Sequence, residues 1–170
     1  MKLTKKVFKT LKSFFGLLII FSTIYTQNKL KKIMENCIFC RIAKSEIPSL
    51  KLYEDKFLFA FLDINPVTEG HILIIPKEHY ENIFDAPEEI LEKITKLSKK
   101  LAKTLKEKLN AKGVNILNAS GKDAQQSVFH LHFHIVPRYE NDGKNLGFHG
   151  EKKETKELQE TQKNFLEIKI

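Results

Sequence analysis

At 170 residues the chain is long enough for one domain with a real core plus tails, and two domains are not expected. Its formal charge of +8 invites a nucleic-acid reading, but residues 1–33 hold eight lysines and no acid, leaving 21 basic against 21 acidic residues in the remainder. The domain is thus neutral overall, and no nucleic-acid partner is expected. With only two cysteines, Cys37 and Cys40, a disulfide scaffold is excluded, and the Cys-x-x-Cys spacing reads as a metal or redox pair.

Residues 1–33 differ from the rest of the chain: a lysine-rich start, an apolar run of twelve residues from Phe14 to Tyr25, then more lysines. The run is short of the ~20 residues of a comfortable membrane span. It suits the apolar region of a signal peptide better, yet no small-x-small cleavage site lies downstream of it. Three readings stand: an artefactual or dispensable extension, a targeting or membrane-anchoring segment, or a folded contribution. A chain starting at Met34 is expected to fold and act as the full chain does. The protein is accordingly expected in the cytoplasm, with organelle targeting or membrane tethering through residues 1–33 as the alternative.

From Met34 the pattern predicts a short helix over Phe39–Ser45 and strands over Leu52–Glu54 and Phe57–Asp63. Pro66-Val67-Thr68-Glu69-Gly70 turns the chain into a third strand, His71–Pro76, forming a hairpin with its predecessor. Asp85-Ala86-Pro87-Glu88 has capping-box spacing and starts a long helix to about Leu109. Apolar residues at Ile90, Ile94, Leu97, Leu101, Leu105 and Leu109 give that helix one side that can cover a sheet. Gly113 then releases the chain into a strand over Val114–Asn118, and Ser120-Gly121-Lys122-Asp123 makes the next turn. The expected fold is α+β: an antiparallel sheet with a long helix packed on it. The domain is placed at residues 34–140, with a polar tail at 141–170 read as a solvated appendage, a helix over Glu151–Ile170 being the alternative.

Val128-Phe129-His130-Leu131-His132-Phe133-His134-Ile135-Val136 carries three histidines at strict period 2 among β-branched, aromatic and aliphatic residues. Side chains two apart on a strand point the same way, about 7 Å apart. His130, His132 and His134 should therefore line one face, while Phe129, Leu131, Phe133 and Ile135 bury the other. Several neutral imidazoles together suit metal ligation, proton transfer or nucleophilic attack.

This segment, with Gln126-Ser127 before it and Pro137-Arg138 after it, resembles the signature of the histidine triad (HIT) family. Cys37-Ile38-Phe39-Cys40-Arg41-Ile42, Glu46-Ile47-Pro48, Tyr53-Glu54-Asp55, Ala60-Phe61-Leu62-Asp63-Ile64 and Gly70-His71-Ile72-Leu73-Ile74-Ile75-Pro76-Lys77 with His79 agree in order. The resemblance covers about Asn36 to Arg138 and neither terminus. It implies a HIT-like fold, a homodimer, and an enzyme that binds a purine nucleoside phosphate and passes its nucleotidyl group to a histidine and then to water.

Residue by residue, the resemblance implies His132 as nucleophile, His134 on the phosphate, His71 as a supporting residue and Ser127 assisting the leaving group. Gln126 and Asn118 match phosphate-side positions, Asp63 would hold the ribose hydroxyls, and Ile38, Phe39, Ile42, Phe61 and Ile64 match the base pocket. Cys37, Cys40, His79 and His130 resemble the ligand set of zinc-containing relatives, a full complement that reads as structural. Gln125 stands where relatives commonly have glycine, which puts the geometry of the phosphate loop in question. The reading favoured is a nucleoside phosphoramidase. Dinucleoside polyphosphate hydrolysis is the enzymatic rival, and a nucleotide-binding interaction protein with incidental turnover is the rival from another class.

Overall fold

The computed structural model describes Tyr25, residues 32–146 and residues 153–166. Five strands form one sheet: β1 (Lys51–Glu54), β2 (Leu58–Leu62), β3 (Ile72–Pro76), β4 (Gly113–Leu117) and β5 (Phe133–Arg138). Their order is β1-β2-β3-β5-β4, with every neighbouring pair antiparallel. Two helices cover the sheet, α1 (Ile38–Ala43) and α2 (Glu88–Lys108), and a third, α3 (Thr155–Leu166), lies in the tail with no buried residue. The α+β expectation holds, as does the β2–β3 hairpin, in which Leu58 pairs with Pro76 and Leu62 with Ile72.

Alternation along the strands sorts the core into two layers, because successive side chains leave a strand on opposite faces. Leu58, Ala60, Ile72, Ile74, Leu131 and Ile135 join Ile90, Ile94, Leu97 and Leu105 of α2. Phe59, Phe61, Leu73 and Ile75 face the other way and join Phe39, Ile42 and Ala43 of α1. A fully buried Ile or Leu contributes about 1.5–3 kcal/mol, so the α2 layer anchors the sheet while the thinner α1 layer leaves room beside it.

Helix α2 begins differently from its capping-box reading. Its N-cap is Pro87, which makes no side-chain cap. The Asp85 carboxylate is instead spent on the preceding turn, accepting the N–H groups of Glu81 and Asn82 at 2.9 Å each. Glu88 and Glu89 in the first turn and Lys106 and Lys108 in the last complement the helix dipole. The stop falls where expected, with Leu109 as the C-cap. Asn110, at φ +55°, takes the left-handed conformation that ends a helix, so the chain has already turned before Gly113 opens β4.

The histidine strand is shorter than its pattern. β5 starts at Phe133, leaving His130 and His132 in a non-strand segment. The ladder breaks because Leu131 N–H donates to the carbonyl of Tyr80 at 2.6 Å and His130 N–H to Val128 at 2.8 Å. Phe129 consequently lies 49% exposed instead of buried, although Leu131 and Ile135 do enter the α2 core.

Residues 1–31, apart from Tyr25, lie outside the described residues, and so does the greater part of the expected targeting or anchoring segment. Among the described residues no helix is long and apolar enough to cross a membrane. Helix α3 lies within the expected Glu151–Ile170 span, of which residues 153–166 are described.

Gln125 comes directly after a short 3₁₀ turn (Lys122–Ala124) and sits at φ +64°, ψ 29°, in the left-handed region. A side chain there costs roughly 1 kcal/mol relative to glycine. Gln125→Gly is expected to raise unfolding stability by about 0.5–1 kcal/mol in a denaturant titration, while a destabilised variant would show that the Gln125 side chain holds the loop.

Candidate functional site

Cys37 is the N-cap of α1 and its sulfur accepts the N–H of Cys40, so the helix start itself sets the two thiols side by side. Both are free. His79 arrives from the loop after β3 and His130 from the segment before β5. Cys37 Sγ lies 3.4 Å from His130 Nδ1, Cys40 Sγ lies 3.3 Å from His79 Nδ1 and 3.5 Å from His130 Nδ1, and the two Nδ1 atoms are 3.2 Å apart. Metal–nitrogen bonds of about 2.0 Å and metal–sulfur bonds of about 2.3 Å give tetrahedron edges of about 3.3–3.8 Å. These four residues could hold a metal ion in that geometry.

The electrostatics agree with a cation at this point. Burial, reinforced by Cys37, pushes the Cys40 thiol up to about 12, a cost that a coordinated cation removes. His130 is fully buried, and burial lowers it to about 4. Its Nε2 is 3.0 Å from the carbonyl of Pro76, which can only accept, so Nε2 carries the proton and Nδ1 is left as the ligand atom.

The carbonyl of the same His130 sets the next histidine. His132 Nδ1 lies 2.7 Å from it and must donate, which makes Nε2 the lone-pair nitrogen of a neutral ring. Burial lowers the His132 pKa, with the His130 carbonyl and Asp63 acting in the opposite direction. Phe39 packs edge-on at 5.2 Å, and Asn118 Nδ2 donates to the His132 carbonyl at 2.9 Å.

A second relay ends at His134. Val67 N–H donates to His71 Nδ1, so a neutral His71 holds its proton on Nε2 and gives it to His134 Nδ1, 3.0 Å away. His134 then presents Nε2–H. Burial lowers both, His134 to about 4 with His132 and His71 contributing, and His71 against the pull of Asp63. Asp63, just past β2, binds Asn65 N–H through Oδ1 and stands 3.6 Å from His71 Nδ1 through Oδ2.

A cavity of about 380 Å³ gathers most of the expected residues: Ile38, Phe39, Ile42, Phe61, Asp63, Ile64, Ser127, His132 and His134. Phe39, Ile42 and Phe61 are core and cavity wall at once, whereas Ile38 is 46% and Ile64 88% exposed at the rim. His71 stands behind His134. Asn118 and Gln126 are not brought into the wall. Asn118 also accepts the Ser120 hydroxyl, while the buried Gln126 accepts Gly121 N–H and donates to the carbonyls of Glu81 and Val128. Sequence reasoning missed Ile47, Pro48, Ser49, Leu62, Asn65, Leu73 and Val128 in this wall. A signal existed for two of them: Ile47 and Pro48 belong to the Glu46-Ile47-Pro48 motif. Leu73 shares the period-2 face of His71, and it pairs with His134 across the sheet.

Known proteins share the sequence pattern and the fold of this chain. The HIT domain profile matches residues 44–141. Adenosine 5'-monophosphoramidase HNT1 of Saccharomyces cerevisiae is 44% identical over 131 residues, covering 76% of this chain and 80% of the yeast protein. The structure of a histidine triad nucleotide-binding protein from Candida albicans matches with a TM-score of 0.70 at 39% identity, over 78% of this chain and 96% of that one. A Zn-bound histidine triad family protein from Mycobacterium smegmatis matches with a TM-score of 0.64 at 34% identity, over 79% of this chain and 97% of that one. The profile takes in β1 to β5 and α2 together with all three histidines of the triad, and the chain accordingly belongs to the histidine triad (HIT) family.

Proposed function

We propose that the protein hydrolyses purine nucleoside 5'-phosphoramidates through a nucleotidyl intermediate on His132. The observation that carries this reading is the 2.7 Å bond from His132 Nδ1 to the His130 carbonyl, which leaves Nε2 as a neutral nucleophile at a cavity with an apolar end and a carboxylate. The likeness to a monophosphoramidase supports the same chemistry. Phe39, Ile42 and Phe61 take the base from inside and Ile38 and Ile64 from the rim. Asp63 takes the ribose hydroxyls, and His134 Nε2–H binds a phosphoryl oxygen. His71 holds His134 in the required tautomer. Asn118 and Gln126 serve the phosphate side by fixing the backbone around His132 and Ser127.

In the first step the phosphorus–nitrogen bond to the leaving amine breaks as a bond to His132 Nε2 forms. The amine takes a proton from solvent, relayed by the Ser127 hydroxyl. In the second step water attacks phosphorus, its hydroxyl stays on the nucleotide, its other proton returns to solvent, and His132 is released neutral. The net change is phosphoramidate plus water giving amine plus nucleoside monophosphate.

His132→Ala should lower turnover of adenosine phosphoramidate by at least about 10³-fold while nucleotide affinity largely survives. A rapid quench with labelled substrate should trap nucleotide on the native protein and none on the variant. Near-normal turnover by the variant would remove His132 from the role. A parallel panel of dinucleoside polyphosphates distinguishes the rival hydrolase, and absence of turnover throughout would favour the interaction-protein reading.

The Cys37, Cys40, His79 and His130 set fits zinc, whose preferred ligands are thiolate and imidazole, and its closed complement makes the ion structural. When bound, the ion would supply the cation that lets the buried Cys40 thiol ionise. Metal analysis of untagged protein should give about one zinc per chain, with chelation lowering the melting temperature by roughly 10 °C or more. Undetectable zinc with an unchanged melting temperature would assign the cysteines another task.

Homodimerisation fits the sheet's open edge. β4 is an edge strand with Ile116 49% exposed, and Leu109 at the end of α2 lies 39% exposed. We place the dimer contact on β4 and α2. Sedimentation should report a dimer at micromolar concentration, and a concentration-independent monomer would contradict this.

A further inference from the structure

A second and larger cavity, of about 610 Å³, opens beside the first, and the two share Ile38, Ser127 and Val128. Its outer wall is built by Lys32, Ile33 and Phe129. Ile33 is 38%, Ile38 46% and Phe129 49% exposed, so three large apolar side chains stand in water around one concave surface. Phe129 is there because the strand breaks ahead of Phe133, turning out a ring that strict alternation would bury. Cys37 and His79 also border this cavity, but their sulfur and nitrogen donors belong to the metal cluster. Lys32 is the one side chain of this wall, among the described residues, that is charged at neutral pH.

The position of the seam gives the cavity a task. Ser127 and Val128 lie between it and the nucleoside cavity, next to the segment that carries His132. In a displacement at phosphorus the attacking and leaving atoms are roughly in line. A nucleoside running towards Asp63 would send the departing amine across the Ser127 seam that the two cavities share. We propose that the second cavity is the leaving-group subsite and selects amines that combine an apolar body with an anionic end. The body lies on Phe129, Ile33 and Ile38, and the anion meets the Lys32 ammonium. Lys32 and Ile33 precede Met34, so the end of the N-terminal extension sets specificity while the triad performs the chemistry, against the expectation that a chain starting at Met34 acts as the full chain does.

This inference rests on the phosphoramidate reading, and one experiment separates the two. The full chain, Lys32→Ala, Lys32→Glu and Phe129→Ala are each given three adenosine phosphoramidates, those of ammonia, phenethylamine and phenylalanine, and kcat/KM is measured. Ratios compared between proteins cancel the intrinsic reactivity of each amine. The phenylalanine-to-phenethylamine ratio should fall about fivefold in Lys32→Ala, the ceiling for an exposed ion pair, and fall further in Lys32→Glu. The phenethylamine-to-ammonia ratio should fall about fivefold in Phe129→Ala as apolar contact is lost. Unchanged ratios with robust turnover would overturn the subsite alone. Failure of the native chain to cleave any of the three would overturn the phosphoramidate reading and the subsite with it.

Discussion

His130 makes three commitments at once, and the site is organised around them. Its Nε2–H is held by the Pro76 carbonyl at the end of β3, its Nδ1 faces Cys37, Cys40 and His79, and its own carbonyl takes the Nδ1–H of His132. A neutral imidazole can attack through only one nitrogen, and here the backbone decides which. Burial lowers the pKa of His132, so the ring stays unprotonated without a permanent base beside it. The residues that could hold a metal ion and the ring proposed as nucleophile are thus joined through a single peptide unit.

The sheet gives this arrangement its stiffness. β5 lies between β3 and β4, and its Ile135 is sealed against α2 while His134, one residue away, faces the cavity. One layer is filled by the long helix and is densely apolar. The other is covered by a helix of only six residues, which leaves space for a ligand beside Phe39 and Phe61. The histidines remain on the cavity side even where the strand has ended, because the Leu131–Tyr80 backbone bond keeps Leu131 turned into the core.

Much of this was legible in the sequence because period and spacing are local. The apolar runs Phe57–Asp63 and His71–Pro76, with a turn between them, announced a hairpin, and the helical spacing from Ile90 to Leu105 announced the helix that covers a sheet. The triad spacing and the Cys-x-x-Cys pair pointed to the two clusters found. What sequence could not supply was the competition for hydrogen bonds. Asp85 has the spacing of a cap yet serves Glu81 and Asn82. The pattern for β5 runs from Val128, but Tyr80, distant in sequence, captures the N–H of Leu131 and ends the ladder early. Asn118 and Gln126 matched ligand positions, whereas their amides are engaged with backbone, a fact visible only once the loops are folded. Gln125 takes the left-handed conformation without being glycine, which resolves how the loop closes around it.

The tautomer of His132 is the quantity on which the proposed chemistry turns. Nitrogen-15 NMR of the full chain with labelled histidine, at neutral pH and with its metal content measured, reads that tautomer directly. The expected result is a neutral His132 with its proton on Nδ1 and a free lone pair on Nε2. A proton found on Nε2, or a protonated ring at neutral pH, would contradict it, because Nε2 would then carry no lone pair with which to attack phosphorus.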